Sequence, residues 1–302
     1  MPYVASSAEA FLQKYYALDE RFGQGYFARR FTGIDYEVRS CDSCGLVFQA
    51  WRPGPVLSAE VYGKWIRTQP DADRTMPNVS LREYVHATAE AQKIAHLLFG
   101  ERELLSEMRA LDFGMGRGVF ALALKACGFR TFGHDVGAQR HEAGGRMGIE
   151  MLAPGAATQD TFAGHTFDFV NTEQVFEHLP NPGEILELLV KALRPGGLLK
   201  ISVPRSRALA AGRFDLDFDA PKYAANAITP VQPLEHLQYY PPLSIDTLAR
   251  RFGLRRLRIP AKVHMLYDNR WITRQAFRNV ARTFAHEKLR NYTLLRKPSG
   301  DA

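Results

Sequence analysis

Cysteine is scarce: Cys41, Cys44 and Cys127 are the only three in 302 residues. So few thiols, so unevenly spaced, exclude a disulfide scaffold and fit a reducing compartment. No run of about 18 apolar residues occurs, which excludes a membrane-spanning helix. The first residues mix Glu9, Lys14, Asp19 and Glu20 with aromatics instead of placing a basic segment before an apolar one. No secretion signal is therefore expected, and the cytoplasm is the default compartment. The chain also lacks internal repeats and long low-complexity tracts.

What is there suits a folded domain. The length allows a sizeable buried core, either as one large domain or as a main domain with an accessory one. Net charge is +7, and it is unevenly spread. From Ile245 onward, fourteen Lys and Arg face four Asp and Glu. Such an excess attracts phosphate, nucleic acid or an anionic surface, or else forms a solvated face.

Residues 1–105 read as a helical or irregular accessory region rich in Tyr and Phe, with a loop at Thr68–Asn78 and a helical pattern over Arg82–Phe99. Regular alternation follows over 106–302. Strands are predicted at Arg109–Phe113, Thr131–His134, Phe167–Thr172, Leu198–Val203, Leu254–Ile259 and Asn291–Arg296. Helical patterns at Phe120–Cys127, Gly183–Leu193 and Ile245–Phe252 lie between them. The alternation predicts an α/β fold with a mostly parallel, doubly wound sheet, whose ligands sit at the carboxyl ends of the strands.

The first of these strands runs into Asp112-Phe-Gly114-Met-Gly116-Arg-Gly118, where glycines permit left-handed backbone and close approach of a ligand. The spacing G-x-G-x-G differs from the dinucleotide fingerprint G-x-G-x-x-G. An acid in this turn would repel pyrophosphate and could accept hydrogen bonds from a cationic ligand. Asp135, about twenty residues on, ends the next strand where a carboxylate can take both hydroxyls of a ribose, or cap the following helix. Asp160 could meet an adenine amino group or be an ordinary loop acid.

LDFGMGRGVF, GHDVG, QDTFAGHTFDFVNTEQVFEHLPNP and LRPGGLLKISVP, in this order, resemble the class I S-adenosylmethionine-dependent methyltransferases over about Leu111–Leu254. The resemblance implies a Rossmann-like seven-stranded sheet and S-adenosylmethionine as methyl donor. It sets Gly114, Gly116 and Gly118 with Asp112 beside the methionyl part, Asp135 and Val136 at the ribose, and Asp160 with Thr161 near the adenine. Asn171–Gln174, including Glu173 and Gln174, would run along the cofactor. The segment lacks the Asp/Asn-Pro-Pro-aromatic pattern of amino-methyltransferases, and Cys127 lies on a helix as a packing residue. Oxygen, or less so carbon, is the expected acceptor atom.

Methyl transfer from a sulfonium needs alignment above all, and a hydroxyl acceptor also needs a base. By the resemblance, His178 of Glu177-His178 and His236 of Glu235-His236-Leu-Gln-Tyr-Tyr240 are the candidates. A structural role is open for both, as is simple packing for Tyr239 and Tyr240.

Tyr36–Phe48, with Cys41-x-x-Cys44-Gly-Leu, resembles half of a zinc-binding segment that precedes the methyltransferase domain in a subgroup including sugar methyltransferases. A structural zinc site needs four Cys or His ligands. No Cys or His precedes Cys41 and the next histidine is His86. Zinc is therefore not expected, and no metal site is assigned; a homodimer sharing two such pairs stays open. Arg270, Arg274, Arg278 and Arg282 recur every fourth residue beside Trp271, Phe277, Val280 and Phe284, which predicts an amphipathic helical insertion near 264–288. Its arginines could grip a phosphate-bearing acceptor or face solvent.

The expectation is thus a biosynthetic methyltransferase acting on a small molecule, with a sugar, or a phosphorylated or nucleotide-linked sugar, as the leading acceptor class. The rivals are an RNA methyltransferase, for which no RNA-binding module is evident, and a non-catalytic binding protein on the same fold. Nucleic acid is not the expected partner.

Overall fold

A computed structural model describes residues 5–31, 36–66, 78–98, 104–222, 224–260, 262–263 and 292–299. The arginine-bearing stretch near 264–288 lies outside the described residues. In chain order the strands are β1 (Val38–Ser40), β2 (Val47–Gln49), β3 (Arg109–Phe113), β4 (Arg130–His134), β5 (Glu150–Met151), β6 (Phe167–Glu173), β7 (Leu193–Ser202), β8 (Gln238–Tyr239), β9 (Arg255–Arg256) and β10 (Tyr292–Arg296). The helices are α1 (Ala5–Tyr16), α2 (Leu18–Phe22), α3 (Tyr26–Phe31), α4 (Pro55–Glu60), α5 (Leu81–Leu98), α6 (Val119–Ala126), α7 (Ala138–Arg146), α8 (Pro182–Ala192), α9 (Arg207–Ala210) and α10 (Pro242–Arg251).

Two compact units divide the chain. The larger takes Gln69–Val175, Asn181–Ser202 and Leu248–Ala302; the smaller takes Met1–Thr68, Phe176–Pro180 and Val203–Thr247. This differs from a boundary at residue 105. α5 joins the sheet unit because Ala87, Ala91, Ile94 and Leu98, at helical spacing, share a core with Phe120, Phe169 and Leu198.

In the larger unit seven strands run in the order β5-β4-β3-β6-β7-β10-β9. β3 to β7 are parallel, while β10 is antiparallel to both its neighbours. A parallel sheet covered on both faces demands continuous apolar strands, and β3 and β6 are buried along nearly their whole length. The order reverses between β4-β3 and β3-β6, which makes their carboxyl ends the place for a ligand.

Two local differences from the expected elements have physical causes. Leu193-Arg-Pro-Gly-Gly197 is strand as well as turn. Leu193 pairs with Phe167, a register shift follows, and Gly196 and Gly197 exchange backbone hydrogen bonds with Lys297 of the descending chain. α7 escapes periodicity because it carries Gly144 and Gly145, poor helix formers. A Cβ on Gly144 would stand 2.4 Å from the Met151 sulfur, so packing against β5 overrides propensity. α5 is legible from its start: the Ser80 hydroxyl accepts from the Glu83 N–H at 3.2 Å, a cap on the first turn.

The smaller unit is built on an antiparallel sheet, β1-β2-β8. One core gathers Tyr36, Val38, Val47, Leu209, Val231 and Tyr239; a second gathers Leu12, Tyr16, Leu18, Phe27, Val61 and Trp65. Buried Gln49 donates to the carbonyls of Val231, Gln232 and His236. That side chain satisfies a turn that forms no ladder of its own.

Candidate active site

β3 ends at Phe113 and α6 starts at Val119, and the intervening loop needs glycine. Gly114, Gly116 and Gly118 have φ of 70°, 54° and 73°, a region that costs an L-residue roughly 1–2 kcal/mol. Space adds a second demand. A Cβ on Gly114 would lie 2.5 Å from Val175 Cγ2, and one on Gly118 would lie 2.6 Å from Met147 Cε. At Gly116 a Cβ would meet nothing within 4 Å, so its side of the loop is open.

That open side borders a cavity of about 830 Å³ within the larger unit. Of the predicted cofactor residues, Asp112, Gly114, Gly116, Glu173 and Gln174 line it. Asp112 is buried at the end of β3, opposite Asn171 on β6, whose Nδ2 donates to Asp112 Oδ1 at 2.7 Å. Loss of hydration pushes the Asp112 carboxyl up to about 6; the Asn171 hydrogen bond and Lys200 pull against this, and the Glu173 charge adds to it. Gln174 has φ of 55°, left-handed without being glycine, and such strain gathers at ligand sites. Its N–H donates to the Ser202 carbonyl at 2.9 Å.

The other predicted cofactor residues stand outside the lining. Gly118 is the cap of α6. Asp135 is buried, and its oxygens accept at 2.9 Å from the N–H groups of Gly116 and Gly137. It thus clamps the glycine loop to the end of β4, and each oxygen keeps lone-pair capacity for a further donor. Val136 beside it is 61% exposed, unusual for valine. Asp160 and Thr161 open a short 3₁₀ turn, Asp160–Phe162; Asp160 is exposed, and the Thr161 hydroxyl accepts from the Thr158 N–H at 3.0 Å.

Several lining residues escaped the sequence reading. Lys200 sits in β7 among apolar neighbours, its side chain only 4% exposed. Its ammonium lies 3.1 Å from Glu173 Oε2, 4.4 Å from the Phe120 ring centre and 5.1 Å from that of Tyr292. Two aromatic faces and a carboxylate offset the cost of burying this cation. A lysine within Leu198-Leu-Lys-Ile-Ser-Val203 was the available signal. Glu90 of α5 also lines the cavity; it accepts from Lys93 Nζ at 2.6 Å and from the Tyr292 hydroxyl at 2.7 Å. Arg82 and Arg117 complete a lining of mixed charge, with Arg117 paired to Glu83.

The predicted histidines lie in the smaller unit, next to each other: their ring centres are 4.7 Å apart at an interplanar angle of 72°. His178 Nδ1 is 2.9 Å from the Glu235 carbonyl and 2.9 Å from the Tyr62 hydroxyl. His236 Nδ1 bonds the Thr229 carbonyl. A carbonyl only accepts, so both Nδ1 atoms carry the proton and both Nε2 atoms hold a lone pair. Burial, then the neighbouring His178, lower the His236 pKa to about 3. Glu235 accepts from Tyr16 and Gln232, which fixes the turn that bears His236.

Cys41 and Cys44 lie in the turn between β1 and β2. The Cys41 N–H donates to the Leu46 carbonyl and the Gly45 N–H to that of Cys41, each at 2.8 Å. Hydrogen bonding from Ser43 lowers the Cys41 thiol to about 7. Among the described residues the pair belongs to no group of three potential metal ligands.

With a reversing parallel sheet, a left-handed glycine loop and a buried acid beneath it, family comparison is decisive. Residues 81–258, more than half of the chain, match the model of the family described as a methyltransferase domain, and the chain belongs to that family, the class I S-adenosylmethionine-dependent methyltransferases. The ubiquinone biosynthesis O-methyltransferase of Proteus mirabilis is 29% identical over 112 residues, 35% of this chain and 43% of that protein. Its counterpart from Caulobacter sp. is 31% identical over 121 residues, 37% of this chain and 47% of that protein. The chain thus spans less than half the length of these curated relatives. An O-methyltransferase family protein from Burkholderia thailandensis superposes with a TM-score of 0.42 at 16% identity, over 73% of this chain and 60% of that one.

Proposed function

We propose that this protein moves the methyl group of S-adenosylmethionine to an oxygen of a small-molecule acceptor. The observation that carries the reading is the loop of three left-handed glycines between β3 and α6, with Asp112 buried beneath it at the reversal of strand order. A methionyl group presents an ammonium and a carboxylate together, and the mixed lining suits a zwitterion better than a polyanion. Asp112 and Glu173 are suited to the ammonium; Arg82 is suited to the carboxylate through its planar guanidinium. Asp135 and Val136 would take the ribose, and Asp160 with Thr161 the adenine edge.

In the transfer, the acceptor oxygen attacks the methyl carbon in line with the sulfur, the carbon–sulfur bond breaks, and S-adenosylhomocysteine leaves as a neutral thioether. The acceptor's proton goes to a base, and the histidine pair can supply it. Of the two, His178 is better suited, because an imidazole whose pKa is about 3 takes a proton poorly. Two supports point to oxygen: the absence of the amino-methyltransferase pattern after β6, and the O-methyltransferases among the relatives. A sugar, phosphorylated or nucleotide-linked, is the acceptor class we favour, on the Cys41–Cys44 turn and its likeness to sugar methyltransferases.

Calorimetric titration of the full chain with S-adenosylmethionine and S-adenosylhomocysteine tests the reading. Micromolar binding of both, weakened in Asp112→Asn, is the expected result and opens a screen of phosphorylated sugars. Absence of binding to the native chain would overturn it in favour of a non-catalytic protein on this fold.

A further inference from the structure

Glu177, His178 and His236 form the one group of three potential ligands that draws together among the described residues, each offering an atom within 4.8 Å of the other two. Glu177 is fully buried, and His178 Nε2 lies 4.0 Å from its Oε1.

The second observation is independent of proximity. A metal-binding imidazole usually donates its other N–H to a carbonyl or carboxylate, which fixes the tautomer and aims the ligating nitrogen. Both rings meet that condition here, His178 through the Glu235 carbonyl and His236 through the Thr229 carbonyl. The carbonyls are held in turn. Gln49 binds the Gln232 and His236 carbonyls on either side of the turn, and Tyr16 and Gln232 hold the Glu235 side chain. Two Nε2 lone pairs and a buried carboxylate therefore belong to one braced group.

We infer that Glu177, His178 and His236 bind a divalent first-row metal ion of the zinc type. Two imidazoles and one carboxylate are a ligand set that such ions accept, and three protein ligands leave a position for water or a substrate oxygen. Atoms bound tetrahedrally at about 2.0–2.2 Å from one ion lie about 3.3–3.6 Å apart, so binding draws the group together by up to about 1.5 Å at its widest, a shift within reach of side-chain rotation. The side chain of His178 is 24% exposed, which leaves an approach for the ion. With the ion bound, His178 is a ligand, and acidifying an acceptor hydroxyl passes from imidazole to metal.

The test is calorimetric titration of EDTA-stripped full chain with Zn²⁺, run also on a Cys41→Ser/Cys44→Ser variant to remove the thiol pair. One equivalent should bind in both, and Co²⁺ should give the visible absorption of a low-coordinate N/O site. Glu177→Gln and His236→Gln should each weaken binding by more than about 100-fold, the upper end of what loss of an outer-shell partner costs. X-ray absorption at the zinc edge of the native chain, which needs no variant to fold, should count two imidazoles. Binding lost with the cysteines, binding indifferent to Glu177→Gln and His236→Gln in folded variants, or an edge spectrum without imidazole overturns the inference. S-adenosylmethionine binding is read separately, so failure of the metal site and failure of the methyltransferase reading are distinguishable.

Discussion

The cavity of the sheet unit and the histidine group of the smaller unit position polar atoms by different means. Around the cavity the backbone ladder decides: β3 and β6 pair with Asp112 opposite Asn171, and the side chains at the strand ends follow. Around His178 and His236 there is no such ladder. The rings are set by bonds to the Glu235 and Thr229 carbonyls, with the Tyr62 hydroxyl beside His178, and the turn bearing His236 is held by the side chains of Gln49, Tyr16 and Gln232. The first arrangement concentrates its sensitivity in backbone conformation and the second in side-chain identity.

The largest expected effect is therefore at the glycine loop. Gly114→Ala adds a Cβ 2.5 Å from Val175 Cγ2 at a φ of 70°. It should destabilise the fold by about 2–4 kcal/mol in urea unfolding and abolish measurable cofactor binding. Adding Val175→Ala should restore part of the stability, since it removes the clash and leaves the φ penalty.

Next comes Asp112→Asn, where binding and stability should move in opposite directions. Losing a charged hydrogen-bond acceptor should weaken cofactor affinity roughly 10- to 100-fold in calorimetry. The cofactor-free fold should gain about 1–3 kcal/mol at pH 7.5, because a buried carboxylate no longer has to ionise. The carboxyl is about 6 folded against 3.8 unfolded. Its contribution is thus fully present below about pH 4 and is lost as the pH rises through 6, so the variant's advantage should vanish in acid.

In the smaller unit the sign reverses. His236 falls from 6.5 to about 3 on folding, so the unfolded chain takes up the proton first. Metal-stripped protein should lose about 2 kcal/mol of stability between pH 6.5 and 5 on this account, and His236→Gln should flatten that slope in unfolding titrations. Ring-nitrogen NMR of the native chain should show the Nδ1–H tautomer unchanged across the same interval.

The smallest effect belongs to Gln174→Gly, which removes left-handed strain at the cavity wall. Stability should rise by roughly 0.5–1 kcal/mol in urea. A matching fall in cofactor affinity would show that the strain serves the ligand; unchanged affinity would limit Gln174 to a backbone role.

The same contrast explains what could be read in advance. The parallel sheet was legible because strands buried on both faces must be apolar, and the glycine loop because its left-handed residues are contiguous. Lys200 and Glu90 were not, since their contribution to the cavity depends on which strand and helix lie beside them. His178 and His236 could be singled out only one at a time. Glu235 lies 57 positions after His178, and nothing local says that its carbonyl meets the first ring while its neighbour His236 carries the second. The β1–β2 hairpin was missed because its strands are three residues each, too short for alternation to register.

The pairing of β2 with β8 sets Val47 opposite Tyr239, and the Tyr36 hydroxyl binds the Val231 carbonyl across 195 residues. Contacts so distant in sequence are slow to form and cannot form until the later partner has left the ribosome. The smaller unit, although it contains β1 and β2, which precede every strand of the larger sheet in the sequence, is therefore among the last parts of the chain to be completed. A nascent chain from which residues up to 202 have emerged already has β3, β4, β5, β6 and β7 available to pair. It still shows one bare edge of β2 to solvent or to a chaperone, and that edge is where premature association would begin.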